Sequence, residues 1–468
     1  MIHCEGRVIL NFATFSLNVQ PPRITHTIGS PPMSFLHPTR TRTKVLQTAV
    51  LASVVALALA GCGRSSDGAS PAAATKIDNK PATGTVTLWA PDGDATALKD
   101  TLKPFEKANP DVDVKVTLIP SDQYNTKLQT AIAGGTTPDI AQLYTEAQAQ
   151  FIGSDAFAPV PSGLVDPASF FPGAWKAGAY KGTTYSVPWY AYTYALIYRK
   201  DLAATAGVSA PTKISDMVPF FKALQSAGAA HGFGAEVGWD SYSGQDAVIY
   251  TWQEGGDVIN SDDTKWTFAD NPAFLKAVTE YSKFFTEGTA SVDTPQFLDA
   301  QPYFVAGKTA ALVSGPWVIS SLDTTAKQKG WTAEHVATAP LPSGSAGNVG
   351  PVAGGSWGVL KDSKNSEAAW KVIRFLAQPD TQVAQYKSFG SMPAVVSAWD
   401  DPSIADQPLM KVFSDQLKNT KSYPQVTTWS QVATQLGKEL EAVARGTETP
   451  EQLAKNMQTF ADGVGTGN

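Results

Sequence analysis

The sequence predicts an α/β protein built on doubly wound, mainly parallel sheets flanked by helices, in two domains. Three observations carry this. Strand and helix patterns alternate from residue 85 to 143. The chain from Cys62 onward has 407 residues, more than one hydrophobic core usually organises. The only other cysteine is Cys4, so no disulfide is possible downstream and the core must hold the fold.

The elements can be taken in order. The one long apolar run is "VLQTAVLASVVALALAG", Val45 to Gly61, preceded by Arg40, Arg42 and Lys44 and ending in small residues. That is the layout of an export signal, and no stop-transfer charges follow it. The tetrad Leu59-Ala60-Gly61-Cys62 resembles a bacterial lipobox, whose cysteine is acylated after the peptide before it is removed. Met33 would open a signal of ordinary length (33–61), which makes residues 1–32 an expected upstream mis-start. Residues 62–84 are rich in Gly, Ser, Ala, Thr, Pro and Lys and read as a flexible tether. A tether between lipid and body places the protein at a membrane face.

The folded body is expected to begin at Thr85. Thr85–Ala90 alternates and is β-rich, and Pro91-Asp92-Gly93-Asp94 breaks it. Leu98, Leu102 and Phe105 then recur at helical spacing until Pro110. Val112–Ile119 is the second strand, a helix runs to Gly134-Gly135, and Asp139–Leu143 is the third strand. Ligands of such sheets sit beyond the carboxyl ends of the strands. That makes Asp92, Asp94, Tyr144 and Glu146 candidates, each against the alternative of a solvated turn residue. In "VPWYAYTYALIY", Tyr190, Tyr192 and Tyr194 share one face of a strand. A tyrosine row suits a core edge or a polar cleft, because a buried phenol needs a partner. Trp239, Asp240 and Tyr242 sit in a loop, Trp317 follows a Gly-Pro break, and Ser356 and Trp357 lie beside the bare backbone of Gly354 and Gly355. Aromatic faces with a few carboxylates are what a sugar needs: its C–H face lies on a ring and its hydroxyls bond to acceptors. Trp370, in "EAAWKVIRFL", is read as helix packing instead. Trp429 opens a helical tail and is a possible wall residue.

The stretch "LWAPDGD…LKPFEKANPDVDVKVTLIPSDQYNTKLQTAIAGGTTPDIAQLY" resembles the opening of type 1 extracellular solute-binding proteins, the group that contains maltose-binding proteins. "YSVPWYAYTYALIYRKDL", "QPYFVAGKTAALVSGPWVI", "GGSWGVLKDSKNSEAAWKVIRFLAQPDTQ" and "SMPAV" follow in the same order. The resemblance spans residues 85–468. It implies a periplasmic-binding-protein-like fold of two lobes, each a mainly parallel sheet flanked by helices, with a ligand cleft between them. It further implies crossings near residues 192, 355 and 394, giving lobe 1 as 85–191 with 356–393 and lobe 2 as 192–355 with 394–468. The implied role is the receptor of an ABC importer, held by lipidated Cys62 at the outer face of the cytoplasmic membrane of a Gram-positive bacterium, working as a monomer with a membrane permease. Many relatives carry an acid where this chain has Tyr192, so Tyr192 is assigned a stacking or hydroxyl role. The expected ligand bed is Asp92, Asp94, Tyr144, Glu146, Tyr190, Tyr192, Trp239, Asp240, Tyr242, Trp317, Gly355, Ser356 and Trp357.

Other classes fit less well. Of 36 bases and 42 acids, five bases and one acid precede Cys62, so the remainder is acidic by ten charges. Nucleic acid needs a basic footprint. "GGSWG" matches the hydrolase elbow G-x-S-x-G, but that fold places its histidine after the serine, whereas His231 and His335 both precede Ser356. No residues have metal-ligand spacing, and no cofactor is expected. A glycosidase needs only two carboxylates, so a surface carbohydrate-active enzyme stays open as an alternative, as does a polyamine receptor.

Overall fold

The computed structural model describes residues 76–467, apart from Glu236, Val237, Asp240, Thr294 and 296–299. The predicted lipidation residue Cys62 and the candidate Asp240 therefore lie outside the described residues.

Eight strands form the two main sheets. They are β1 (Gly84–Pro91), β2 (Val112–Ile119), β3 (Ile140–Tyr144), β4 (Val187–Tyr192), β5 (Ala195–Arg199), β6 (Ala311–Ser314), β7 (Val336–Ala339) and β8 (Ala353–Val359). The first sheet has the order β2-β1-β3-β8-β4 and the second β6-β5-β7. β1 lies parallel to β2 over its whole length and parallel to β3. Val86, Leu88 and Ala90 alternate into the core, as the sequence pattern requires. The break at Pro91 contains no loop: the strand runs straight into the helix Asp92–Thr101. The helix Ser121–Gly134 stops at Gly135, whose φ of 63° is the left-handed cap that glycine adopts without strain.

The expectation of mainly parallel sheets is corrected. β8 runs antiparallel to both β3 and β4, and all three strands of the second sheet are antiparallel neighbours. The reason is connectivity. β8 arrives from the second-sheet region rather than through a crossover helix, so it enters the first sheet in reverse. Parallel contacts with this region occur as isolated bridges, His231 to Thr309 just before β6 and Gly234 to Leu312 within it.

Two large buried apolar clusters pack on the sheets. The first gathers Leu88, Ile140, Trp189, Trp357 and Ile373, and it reaches both sheets, since it also holds Ile197 of β5 and Leu312 of β6. The other gathers Phe221, Phe268, Phe274, Tyr281 and Val432. Only Thr193 and Tyr194 separate β4 in the first sheet from β5 in the second. The two lobes thus meet at the row of tyrosines. Gly354 in β8 has φ 151°, and a Cβ there would fall 2.1 Å from the carbonyl oxygen of Tyr190. That glycine is a packing requirement of the β8–β4 pair. Trp370 is buried in the helix Ser366–Leu376, as its helical context suggested. The tail forms two helices, Trp429–Ala444 and Pro450–Val464, the second with a Thr449–Gln452 capping box.

Candidate ligand cleft

The carboxyl end of β3, the tyrosine row of β4 and the helix Pro316–Ala326 converge. Tyr192 meets Trp317 edge-on, with centroids 4.8 Å apart and planes at 83°. Tyr194 meets the same indole edge-on at 6.1 Å. Tyr190 lies nearly parallel to Tyr192, 6.4 Å away. Tyr144 ends β3 opposite Gly355, and Glu146 follows two residues later, half-buried. Tyr242, 53% exposed, stands in the first turn of the helix Ser241–Gln253 and acts electrostatically on Tyr144 and Tyr192.

Electrostatics mark this cluster as partly desolvated. Burial is the main cause in every case. It pushes the Glu146 carboxyl up to about 7, with a bond from its own backbone N–H opposing the shift. It raises Tyr190 and Tyr192 well above the ordinary phenol range, and the acids Asp94 and Glu146 add to the effect at Tyr190. Tyr144 is raised too, by burial and then by Asp94, Glu146 and Tyr242 against a hydrogen bond with Ser121.

Other candidates are placed elsewhere. Asp94 is buried, and it accepts hydrogen bonds from Gln142 (2.9 Å), Gln385 (3.2 Å) and the Trp189 indole (3.4 Å). Burial raises its pKa against those donors. It ties β3, β4 and the helix Pro379–Phe389 together, and it acts on Tyr144 and Tyr190 of the cluster. Asp92 is exposed and accepts from the backbone N–H and the hydroxyl of Ser121 at 3.1 and 3.2 Å, holding the start of the next helix. Ser356 and Trp357 are buried in the sheet, with Trp357 only 1% exposed and its ring 5.8 Å from that of Trp189. The ligand-stacking role expected of Trp357 does not fit that position. A Cβ at Gly355 would lie 2.6 Å from the Tyr190 ring, so the tyrosine packs on its backbone. Trp239 has φ 53°, donates its indole N–H to the Val292 carbonyl at 3.0 Å and packs on Phe285. Trp429 is also interior, between Tyr423 and Trp266.

Tyr423 is the residue sequence reasoning missed. It is 2% exposed, its hydroxyl has no hydrogen-bond partner among the described residues, and Asp246, Tyr192 and Glu146 all act on it. The signal was present in "YPQVTT", but nothing local shows that its tyrosine returns to the tyrosine row. The assembled cluster offers aromatic edges, phenol hydroxyls and one carboxyl. Among the described residues, no group of three or more His, Cys, Asp or Glu could hold a metal ion.

Comparison with known proteins bears on the family and the fold. The profile of the bacterial extracellular solute-binding proteins matches residues 89–383. A galactooligosaccharide-binding protein of Bacillus subtilis (strain 168) is 24% identical over 441 residues, covering 88% of this chain and 96% of that protein. A maltooligosaccharide ABC transporter solute-binding lipoprotein of Streptococcus pneumoniae serotype 4 is 24% identical over 420 residues, covering 83% of this chain and 88% of that protein. Among solved structures, the sugar-binding protein MalE from Xanthomonas citri superposes with a TM-score of 0.74 at 28% identity, covering 81% of this chain and 97% of that one.

Proposed function

We propose that this chain, which belongs to the bacterial extracellular solute-binding proteins, captures a neutral di- or oligosaccharide between its lobes and delivers it to the membrane subunits of an ABC importer. The observation that carries the ligand class is the meeting of Tyr144, Tyr190, Tyr192, Tyr194, Trp317 and Glu146 where the two sheets join. Aromatic edges and phenols around one carboxyl suit a polyhydroxylated ring. Among the described residues, no lysine or arginine is among the leading influences on Tyr144, Glu146, Tyr190 or Tyr192. A carboxylated or phosphorylated ligand would call for such a partner. The oligosaccharide binders among the relatives support the same class. Calorimetry against a neutral sugar panel, a polyamine and glycerol phosphate tests it. Binding of a sugar alone is expected, and tight binding of the anion, or of the polyamine without a sugar, would overturn it.

The lobes of this reading are 85–191 with 356–393, and 192–355 with 394–468. A ligand held between them favours the closed arrangement by its extra affinity for that state. Small-angle scattering at saturating ligand is expected to give a smaller radius of gyration than the free protein. An identical profile at proven saturation removes the clamp.

The chain is further proposed to be a lipoprotein, anchored through Cys62 to the outer face of the cytoplasmic membrane of a Gram-positive cell. The basic flank, the apolar run and the Leu-Ala-Gly-Cys tetrad support this, as does the lipoprotein relative. Cys62→Ala is expected to abolish lipidation and to move much of the protein from membrane to medium. Equal membrane retention with an uncleaved signal would show a spanning anchor instead.

A further inference from the structure

The ordered body begins before β1, within the stretch whose composition reads as free tether. Ile77 packs against the first core. The Asp78 carboxylate pairs with Lys371 at 2.6 Å, and Lys371, only 7% exposed, pairs also with Glu367 at 2.8 Å. Arg374, one turn further along the helix Ser366–Leu376, donates to the backbone carbonyl of Asp78 at 2.8 Å and to that of Ile77 at 3.5 Å. The Lys80 amide donates to the Asp78 carboxylate at 3.0 Å. The Ala82 amide donates to the Asn109 side chain at 2.7 Å, and Ala82 is 1% exposed. Backbone carbonyls taken by an arginine, a buried lysine on a carboxylate and a buried Ala82 hold both ends of a seven-residue segment. A segment with none of these contacts would stay solvated.

We infer that residues 76–82 form a mooring strap that fixes the point where the leader joins the body, on the flank of the helix Ser366–Leu376. That helix packs on β1 and β8 of the first sheet. A lipid attached at Cys62, as the anchoring reading has it, is therefore joined to the first sheet alone, and the second sheet keeps its freedom to swing during closure. The strap shortens the segment between lipid and body by the residues it docks. It also resolves why an uncommon feature, a lysine almost wholly covered on a helix face, occurs here: its two acids come from the strap and from its own helix.

Hydrogen exchange on the unlipidated chain from Cys62 onward tests the strap without involving the anchor, so a failure of the Cys62→Ala result leaves this one standing. In the parent chain the Lys80 and Ala82 amides are expected to exchange at least tenfold more slowly than in an unstructured peptide of the same sequence. In the Lys371→Met/Arg374→Met variant they are expected to speed up at least tenfold, and trypsin is expected to cut after Lys76, which Ile77 follows, correspondingly faster. The β1 amides of Val86 and Leu88 serve as the folding control and are expected to keep their protection. Should that variant unfold, Asp78→Asn, which changes only the exposed partner, replaces it. Coil-like exchange at Lys80 and Ala82 in the parent chain overturns the strap, as does unchanged exchange in a folded variant.

Discussion

Trp317→Ala is expected to weaken binding of the preferred neutral saccharide by about 2–4 kcal/mol, roughly thirtyfold to a thousandfold in Kd. Trp317 is half-buried at the start of the helix Pro316–Ala326. Both Tyr192 and Tyr194 meet its indole edge-on. Removing it takes away a stacking face and also the surface that orients two phenols, while the helix keeps its buried contacts through Val318, Ile319 and Leu322. Stability is therefore expected to change far less than affinity. Trp357→Ala should show the reverse. Its ring fills the first core beside Trp189, and truncating such a residue costs about 3–5 kcal/mol of stability. The fraction that remains folded should bind sugar nearly as the parent does. Calorimetry for affinity and denaturant unfolding for stability, on both variants, separate the two roles. If Trp357→Ala lost affinity without stability, the placement of the cleft would be wrong.

The contrast between these two tryptophans shows where sequence reasoning stops. Both follow glycines in short polar stretches, and nothing local distinguishes them. Trp357 is interior because β8 pairs with β4, which brings it to Trp189, a neighbour 168 positions earlier in the chain. The partners of Asp94 were out of local reach for the same reason: its donors Gln142 and Gln385 lie 48 and 291 residues away. What local pattern governs was legible. Val112–Ile119 has the bounds its alternation predicts, since the period of two and the following Pro120 define both face and end. Tyr190 and Tyr192 were legible as a pair because residues two apart share a strand face, whereas Tyr194 lies past the end of β4. Strand direction was not, because reversal of β8 depends on the path taken through the second sheet.

Glu146 should make both stability and binding depend on pH, in opposite senses. Its carboxyl is half-buried, is acted on by no base among the described residues, and is pushed up to about 7 by burial, against an ordinary 4.5. The groups that feel it are Tyr144, Tyr190, Tyr192 and Tyr423. Below pH 4.5 it is neutral in the folded and unfolded chain alike and contributes nothing. Between 4.5 and 7 the folded chain keeps a proton that the unfolded chain has lost, so stability falls as pH rises through that window and stays low above it. The full gap corresponds to about 3 kcal/mol, and partial exposure brings the expected loss nearer about 1–2 kcal/mol. Glu146→Gln is expected to remove that slope, gaining stability at pH 8 and none at pH 4. Sugar binding should run the other way. Ligand hydroxyls donate to the ionised carboxylate, and a charge-assisted bond of this kind favours the deprotonated form. Affinity is thus expected to rise several-fold from pH 6 to 8, with release of part of a proton on binding at pH 7. Calorimetry in buffers of different ionisation enthalpy reads that proton directly. Uptake instead of release would mean that Glu146 binds the sugar as a donor, and no proton exchange, with Glu146→Gln binding normally, would take the residue out of the cleft.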